Sequence, residues 1–515
     1  MEATSITGPA PADQRAPRQE LKKGAISYIS NVVIGVASTA PGYSLAATVG
    51  FMVAVGGIGV HNPAVVIVSF IPMLFVAWAY QYMNEVDPDC GTSFSWISRT
   101  FSPELGLIIG WIVIVSDIVV NANQAQIAGS YGFQLFGLNG AAASTAAVIV
   151  LGGLFIILLT WICWRGIELS ARTQQILLGF EMSTLIIFAV VALIKTYTDS
   201  PTHSMHVALN WFNPFSVSVS ALISGMLLGV FLYWGWDTGV SVNEESENSD
   251  SGPGRSAVTS TVILIGIYLL VSVASQAYAG IGYLSNPNNA NDIFAGGLAK
   301  GVLGSLHILL TIAVLTSATA ATQTTIIPAA RQALSMARRG AIPSRFAQVH
   351  ERNLSPGTAT IWAGVLSLIW FVAIELLSKN VLADCVAGLG ILVCIYYGFT
   401  GFCCTWFYRF ELRKSVRNFF MLGFFPTVGG LILMVILVKA VTYYGNAAND
   451  SSGAFLGMGV PVWIGILGVG SGILIMLYRK ATAPAFFRNE KRVKYGDPIE
   501  VVTPEAEFAP ADTML

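Results

Sequence analysis

Long apolar stretches separated by short polar connections run through almost the whole chain. Twelve of them are long enough for a helix that crosses a bilayer, which takes about 20 apolar residues. Their approximate bounds are 26–56, 64–83, 105–133, 143–163, 173–194, 217–243, 257–282, 302–327, 359–377, 383–408, 419–445 and 456–478. The pattern predicts an all-α integral membrane protein with 12 transmembrane helices.

Two of these stretches are interrupted at their middles by residues that break helices. The first contains the run 38–44, in which Pro41 precedes Gly42, and the sixth contains the run 235–239. Inside a membrane, irregular backbone is tolerated only where its freed N–H and C=O groups face protein or a polar cavity. Paired interruptions of this kind are typical of the binding site of a secondary transporter. Helices 1 and 6 are therefore predicted to be broken around a substrate.

The charged residues support this count of helices. If the loops alternate between the two sides of the membrane, 23 of the 27 Lys and Arg residues fall on the side of the N-terminus. The remaining four are Lys195, Lys300, Lys379 and Lys439. Because cytoplasmic loops carry the excess of basic residues, both termini are predicted to be cytoplasmic, with the protein in the plasma membrane. The net charge of -1 gives no electrostatic basis for binding nucleic acid.

The polar segments divide the chain into four parts. Residues 1–22 and 481–515 are predicted to be disordered cytoplasmic tails, because they are polar and contain no long apolar run. Residues 23–410 are predicted to form the transport core, and 411–480 to form transmembrane helices 11 and 12. The basic connection 331–358 is predicted to be a short amphipathic linker.

Three motifs resemble those of the amino acid–polyamine–organocation (APC) permeases. The run Phe231–Glu245 resembles their sixth helix, Asp89–Trp96 their loop before helix 3, and Arg331–Pro343 their loop after helix 8. The resemblance implies a LeuT-like fold of two inverted five-helix repeats, about 24–195 and 215–408, followed by two further helices. At the first break most of the family has a Gly-Ser/Ala-Gly triplet, whereas this chain has Thr39–Tyr43. The identity of the substrate is therefore not carried over.

The first break suits a carboxylate. The N-terminus of the half-helix that follows it would offer free N–H groups and a positive partial charge. The backbone of Ala40, Pro41, Gly42 and Tyr43 is predicted to hold the substrate headgroup. The hydroxyl groups of the preceding residues, Ser38 and Thr39, are predicted to assist. The alternative is that Pro-Gly only kinks a helix between packed neighbours.

The second break would complete the substrate site. The carbonyl groups of Phe231, Leu232 and Tyr233 are predicted to face the substrate's amino group, and the resemblance implies that Phe231 is an aromatic lid. Two tryptophans and one acid follow, Trp234, Trp236 and Asp237. The tryptophans would line the side-chain pocket or face lipid. Asp237 is either functional, as an intramembrane carboxylate, or a cap for the freed backbone.

One further acid lies in the middle of span 5. Aligned with the family, Glu181 falls where many proton-coupled or exchanging relatives have a lysine. Three roles are open: Glu181 loads and releases a proton, it ligates Na⁺ with Thr316, Ser317 or Thr319 of span 8, or it is a neutral structural residue.

These features predict a secondary active transporter that moves an amino acid or related organic amine by alternating access, with proton symport favoured over Na⁺ coupling. Amino acid exchange, polyamine transport and inorganic-cation transport remain alternatives. The sequence contains no motif of an intramembrane enzyme and no repeated filter loop of a channel. It predicts no cofactor, no metal site and no obligate protein partner.

Overall fold

The computed structural model describes residues 20–290, 292–294, 297–450, 452–490 and 492–498. The tail residues 1–19 and 499–515 lie outside the described residues. The helices are α1 (Tyr28–Ser38), α2 (Pro41–Ala54), α3 (Asn62–Val86), α4 (Ser93–Thr100), α5 (Pro103–Leu135), α6 (Asn139–Ala142), α7 (Thr145–Arg165), α8 (Ile167–Thr198), α9 (Val219–Tyr233), α10 (Thr238–Ser241), α11 (Gly252–Leu284), α12 (Pro287–Ala290), α13 (Leu298–Leu303), α14 (His307–Arg338), α15 (Gly357–Leu377), α16 (Val381–Phe407), α17 (Val416–Asn418), α18 (Phe425–Tyr444), α19 (Val460–Thr482) and α20 (Ala485–Asn489).

Short elements complete the list. A hairpin of β1 (Ala454–Phe455) and β2 (Met458–Gly459) is antiparallel. Single 3₁₀ turns cover Gly59–His61, Leu209–Phe212, Pro214–Ser216, Asn243–Glu245, Gly304–Leu306, Ser344–Ala347 and Ala447–Asn449, and a π-helical turn covers Phe419–Phe424. An isolated parallel β-bridge joins Ile26 to Ser246. The other regular structure among the described residues is α-helical.

Twelve helical segments are long and apolar enough to cross a bilayer, which confirms the predicted number. The first consists of α1 and α2, and the sixth of α9 and α10, so the two broken helices are also confirmed. The eighth consists of α13 and α14, and the eleventh of α17, the π-helical turn and α18. The remaining eight segments are centred on α3, α5, α7, α8, α11, α15, α16 and α19. No observation tests the inverted repeat, which stays a prediction.

The segments differ in how deeply they are buried in the bundle. In the first and tenth segments 89% of the most apolar window is buried, against 33% in the fourth, eighth, ninth and twelfth. Large apolar side chains such as Val150, Leu154 and Ile157 of α7 are exposed. In a membrane such faces contact lipid, which is as apolar as they are. The broken first segment therefore lies at the centre of the bundle.

The eighth segment is longer than predicted. The sequence places its end near residue 327, but α14 continues through Pro328 to Arg338. The connection predicted to begin at Arg331 is therefore shorter. Arg331 lies in the helix with only 3% of its surface exposed, because an acidic partner described below balances its charge.

The tails are also more ordered than predicted. Leu21 is buried beside Cys90 and Leu334, so the ordered chain begins before residue 23. At the other end, α19 continues to Thr482 and α20 follows, with Phe486 buried. In this part of the predicted tail 481–515, a few apolar and charged side chains have partners on the bundle.

Candidate functional site

The first break is a two-residue interruption between α1 and α2. α1 ends at Ser38 and Thr39 is its C-cap. Ala40 has φ 47° and ψ 65°, a left-handed conformation that is costly for a residue with a Cβ atom. Pro41 then opens α2, where its missing N–H costs nothing. The break is shorter than the predicted run 38–44.

The N–H groups at the start of α2 are bound by side chains from two other helices. The N–H of Gly42 donates to Oε1 of Glu181 at 2.7 Å, and the N–H of Tyr43 donates to Oγ of Ser317 at 3.2 Å. Glu181 is fully buried, and its Oε2 has no hydrogen-bond partner. A carboxylate therefore already occupies the helix N-terminus that the sequence assigned to the substrate.

The hydroxyl groups predicted to assist at this break have other partners. Oγ of Ser38 is 2.7 Å from Oγ1 of Thr238 on α10. Oγ1 of Thr39 donates to the carbonyl of Val36 within its own helix, at 2.7 Å. The Ser38 contact links the first break directly to the second.

The second break begins one residue earlier than predicted. After Tyr233 ends α9, Trp234 is extended with ψ 142°, and Gly235 has φ 121°. A Cβ atom at residue 235 would lie 2.7 Å from the carbonyl oxygen of Ser38. Only glycine meets both demands, the positive φ and the close approach of backbone. The two broken regions are therefore in contact.

The residues before this break are buried. Phe231, Leu232 and Tyr233 are at most 2% exposed, and the ring of Phe231 meets that of Tyr43 edge-on, with centroids 6.1 Å apart. The carbonyl of Phe231 accepts the N–H of Trp234 at 3.1 Å. The elements expected to surround a substrate thus come together.

The tryptophans and the acid of the second break also lie inside the bundle. Trp234 and Trp236 are 4% and 0% exposed, which excludes the alternative that they face lipid. The side chain of Asp237 makes no capping hydrogen bond to the N–H groups at the start of α10. Its carboxylate instead accepts the hydroxyl hydrogens of Tyr397 at 2.9 Å and Tyr396 at 3.3 Å, both from α16.

The three hydroxyl residues of α14 point in different directions. Ser317 is buried at the first break, as described. Oγ1 of Thr316 donates to the carbonyl of Ala313, and Oγ1 of Thr319 donates to that of Leu315. Of the predicted ion-coupling residues, the structure thus brings Glu181 and Ser317 together and leaves Thr316 and Thr319 bonded within their own helix.

A second group of charged residues lies at the end of the bundle that contains α4. We call it the arginine cluster. It comprises Asp87, Asp89, Arg99, Glu244, Glu245, Arg331, Arg338, Arg339 and Glu490. Arg331 forms a bidentate pair with Glu245, with N–O distances of 2.5 and 2.9 Å. Oε1 of Glu490 lies 2.8 Å from Arg339 and 3.5 Å from Arg99.

Opposite charges in the arginine cluster keep each other ionised. Burial alone would oppose ionisation of Asp89, but Arg339 and Arg99 hold its pKa well below the usual value, with help from the Ser335 and Ser95 hydroxyls. Burial likewise opposes the charge on Arg339, but Asp89 and Glu490 raise its pKa. Both groups therefore stay charged over the physiological pH range.

One set of metal-ligand atoms occurs among the described residues. Ligand atoms of Asp89, Cys90 and Glu244 lie within 4.8 Å of one another. Arg339 already binds Asp89 at 2.7 Å, and Arg338 binds Glu244 at 2.7 Å. Because these arginines neutralise the carboxylates, the arrangement fits an ion-pair network better than a metal site.

Comparison with known proteins agrees with this architecture. The family model described as "Amino acid permease" matches residues 24–469. The chain belongs to this family. The resemblance to APC permeases is thereby confirmed, and with its 12 apolar helices the protein is an integral membrane protein.

Individual relatives are distant. The chain is 26% identical to a branched-chain amino acid permease of Lactococcus lactis, over 54% of this chain and 61% of that protein. It is 25% identical to the mitochondrial cationic amino acid transporter 3 of Arabidopsis thaliana, over 70% and 59%. It is 21% identical to the large neutral amino acids transporter small subunit 2 of Homo sapiens, over 67% and 62%. The matches span about three fifths of the length of these relatives.

Several residues at these sites were not singled out from the sequence. Tyr396 and Tyr397 form an aromatic pair in an apolar span, and nothing in the local pattern separates them from packing residues. Glu490 lies in a polar tail and resembles any solvated acid. For Arg331 and Glu245 a signal existed, since both lie within motifs shared with the family.

Proposed function

We propose that the protein is a secondary transporter that moves an amino acid or related organic amine by alternating access, coupled to protons. Membership of the amino acid permease family and the contact between two broken helices support this proposal. The asymmetry of Lys and Arg supports cytoplasmic termini. We propose the plasma membrane as its location.

One observation carries the coupling mechanism: the carboxylate of Glu181 accepts the N–H of Gly42 at the start of α2. A substrate carboxylate would be attracted to the same helix N-terminus. Two carboxylates competing for one buried N–H repel each other, and a buried unpaired charge is costly. Glu181 therefore has to give up its negative charge or its position before the substrate carboxylate binds.

Protonation of Glu181 is the simplest way to achieve this exchange. A neutral carboxyl is a weaker acceptor than a carboxylate, so Gly42 is released and the substrate carboxylate takes its place. The proton stays on Glu181 while the substrate is bound and leaves on the other side of the membrane. Each cycle then carries one proton with one substrate.

The rest of the substrate would meet the end of α9. The last carbonyl groups of a helix carry negative partial charge, which suits an amino group. We propose that the carbonyl groups of Leu232 and Tyr233 accept this group and that Phe231 covers the substrate from the side of Tyr43. Ser38, Thr39, Ala40 and Pro41 then shape the break rather than contribute charge.

Proton coupling is favoured over Na⁺ coupling by the hydroxyl groups of α14. A Na⁺ site beside Glu181 would use oxygen ligands from Thr316 and Thr319 as well as Ser317. Ser317 is the residue of this set that contacts the first break beside Glu181, where it accepts the N–H of Tyr43, whereas Thr316 and Thr319 donate to carbonyls of their own helix.

Transport into proteoliposomes tests the proposal. Purified protein would be assayed with a panel of radiolabelled amino acids under imposed proton or sodium gradients. We expect accumulation driven by an inward proton gradient. Glu181→Gln keeps the size of the side chain but cannot lose a proton, so it should abolish accumulation and retain counterflow exchange.

Glu375→Gln is the matched control, because Glu375 is also a glutamate within a membrane segment, on α15. It should accumulate substrate as the unmodified protein does. If Glu181→Gln keeps its proton-driven accumulation, coupling by Glu181 is wrong. If no amino acid in the panel accumulates or exchanges under any gradient, amino acid transport itself is wrong.

A further inference from the structure

A cavity of about 480 Å³ lies between α2, α9, α16 and α18. One part of its wall is formed by the buried apolar side chains of Leu227, Leu228 and Ile436. Another part is formed by exposed polar residues, among them Ser218 and Ser220. The cavity therefore extends from a polar rim at the surface of the bundle into an apolar interior.

The rim carries one positive charge. Among the described residues that line the cavity, Lys439 of α18 is the only charged one. Its Nζ donates to Oγ of Ser220 at 3.0 Å, and none of the described acids forms an ion pair with it. Lys439 belongs to the eleventh membrane segment. A cation in a membrane segment without a counter-charge favours the binding of an anion beside it.

Two other features of the rim fit an anion at the membrane interface. α9 begins at Val219 with Ser218 as its N-cap, so the positive end of this helix lies at the same rim. Tyr443 and Tyr444 line the cavity and end α18. Tyrosines are typical of the level of the lipid headgroups. The polar end of the cavity therefore lies where lipid phosphates lie.

The two parts of the cavity suit the two parts of a phospholipid. A phosphate at the rim would accept hydrogen bonds from Lys439 and Ser220, and an acyl chain would cover the apolar wall. No acid is present among the described lining residues, so the ammonium group of a zwitterionic headgroup would find no counter-charge. The charge of the lining thus favours a headgroup with a net negative charge.

We propose that this cavity binds an anionic phospholipid, with its phosphate at Lys439 and an acyl chain against α9 and α16. Phe51 and Val55 of α2 also line the cavity, and α2 and α9 belong to the two broken segments. The bound lipid therefore contacts one half of each broken helix. The proposal does not depend on which solute the protein transports.

Thermal stability in detergent tests the proposal. The purified protein would be titrated with phosphatidylglycerol and, separately, with phosphatidylcholine of the same acyl chains. We expect phosphatidylglycerol to stabilise the protein more, because a ligand that binds the folded state raises its apparent stability. Lys439→Gln removes the charge and should raise the half-saturating concentration of phosphatidylglycerol about tenfold, the effect of losing one hydrogen bond to a charged group. Lys439→Arg keeps the charge and should retain binding.

Lys195→Gln is the matched control. Lys195 also lies in a membrane segment, on α8, and its Nζ donates to a single oxygen, the carbonyl of Gly301 at 3.2 Å. It does not line the cavity, so its variant should leave the phosphatidylglycerol titration unchanged. Ser224→Phe is the complementary variant, because it fills part of the cavity and keeps Lys439. It should weaken binding if the cavity, and not the charge alone, holds the lipid.

Native mass spectrometry of the unmodified protein adds a measurement that needs no variant, and it should show phosphatidylglycerol retained in preference to phosphatidylcholine. Equal effects of the two lipids, or an unchanged titration in Lys439→Gln, would overturn the proposal. An equal loss in Lys195→Gln, or full binding in Ser224→Phe, would overturn it too, since both outcomes indicate attraction by charge without a site. Stabilisation by glycerol phosphate as strong as by phosphatidylglycerol would show that the cavity takes a free anion and not a lipid.

Discussion

Acids in the arginine cluster and acids at the two breaks have opposite kinds of partner: positively charged groups in the first region and neutral hydrogen-bond donors in the second. In the arginine cluster every buried acid faces a guanidinium group: Glu245 faces Arg331 and Asp87 faces Arg99. At the breaks, Glu181 faces the N–H of Gly42, and Asp237 faces two tyrosine hydroxyls. No described basic side chain is buried beside either.

The difference indicates what each region is built to do. A fully paired cluster holds its elements together, because separating the partners leaves several buried charges without a counter-charge. An acid satisfied only by neutral donors can exchange them for a proton or a charged solute at a lower cost. The arginine cluster is thus suited to closing one end of the bundle, and the breaks to binding.

The largest expected effect is on stability, through Arg331. Arg331→Met removes the bidentate partner of Glu245, which is fully buried. An uncompensated buried charge typically costs about 3–5 kcal/mol. We expect a marked loss of thermal stability in detergent, measured by the temperature at which the monodisperse protein disappears.

Arg338→Met provides the control for Arg331. Its pair with Glu244 is about a quarter exposed, 27% and 25% for the two side chains, so solvent screens the remaining charge. The loss should be clearly smaller. Equal losses in the two variants would show that burial does not set the value of these pairs.

The next effect concerns the contact between the breaks. Gly235→Ala places a Cβ atom 2.7 Å from the carbonyl oxygen of Ser38, in addition to the strain of φ 121°. Left-handed or strained backbone costs about 1–3 kcal/mol. We expect uptake to be lost, because the added Cβ atom pushes the two broken helices apart at their point of contact. Proteoliposome uptake per folded transporter is the measurement.

Gly166→Ala is the control for Gly235→Ala. It introduces similar backbone strain at a position outside the two breaks. Gly166 has φ 125°, and its Cβ atom would lie 3.1 Å from the carbonyl oxygen of Asn353, away from both breaks. It should lower stability and leave the uptake of the folded fraction intact. Loss of uptake in both variants would mean that strain, and not the contact between breaks, is responsible.

The sequence predicts much of this arrangement because the bilayer restricts what a chain can do. Apolar runs of membrane length define the 12 segments, and Pro41 with Gly42 marks the first break. Gly235 marks the second to within one residue. These features depend on the residues within one short stretch of the chain, so they can be recognised in a single sequence.

What the sequence does not reveal depends on which side of a helix a residue occupies. Thr316, Ser317 and Thr319 look equivalent in the sequence, yet only Ser317 reaches the first break. Glu490 bonds to residues about 150 and about 390 positions away in the chain. Such partners are set by packing between distant elements, which no local pattern contains.

Glu490 gives a smaller effect within the arginine cluster. Glu490→Gln removes one negative charge between Arg99 and Arg339, each of which keeps a second acid, Asp87 or Asp89. Losing a hydrogen bond to a charged group costs about 1.5–3 kcal/mol. We expect a stability loss below that of Arg331→Met, and faster cleavage of the C-terminal segment in limited proteolysis. Unchanged cleavage would contradict docking of this segment by Glu490.

The smallest expected effect separates the neighbouring hydroxyls of α14. Ser317→Ala leaves the N–H of Tyr43 without its acceptor, a loss of about 1 kcal/mol or roughly fivefold in an equilibrium constant. Thr316→Ser keeps the hydroxyl bonded to the carbonyl of Ala313 and should change nothing. Because the lost acceptor lies beside Glu181, the effect should appear in the half-saturating substrate concentration rather than in unfolding. A larger effect from Thr316→Ser than from Ser317→Ala would mean that the binding site lies on another face of α14. The acids at the breaks would then not be the ones that bind, and the comparison with the arginine cluster would fail.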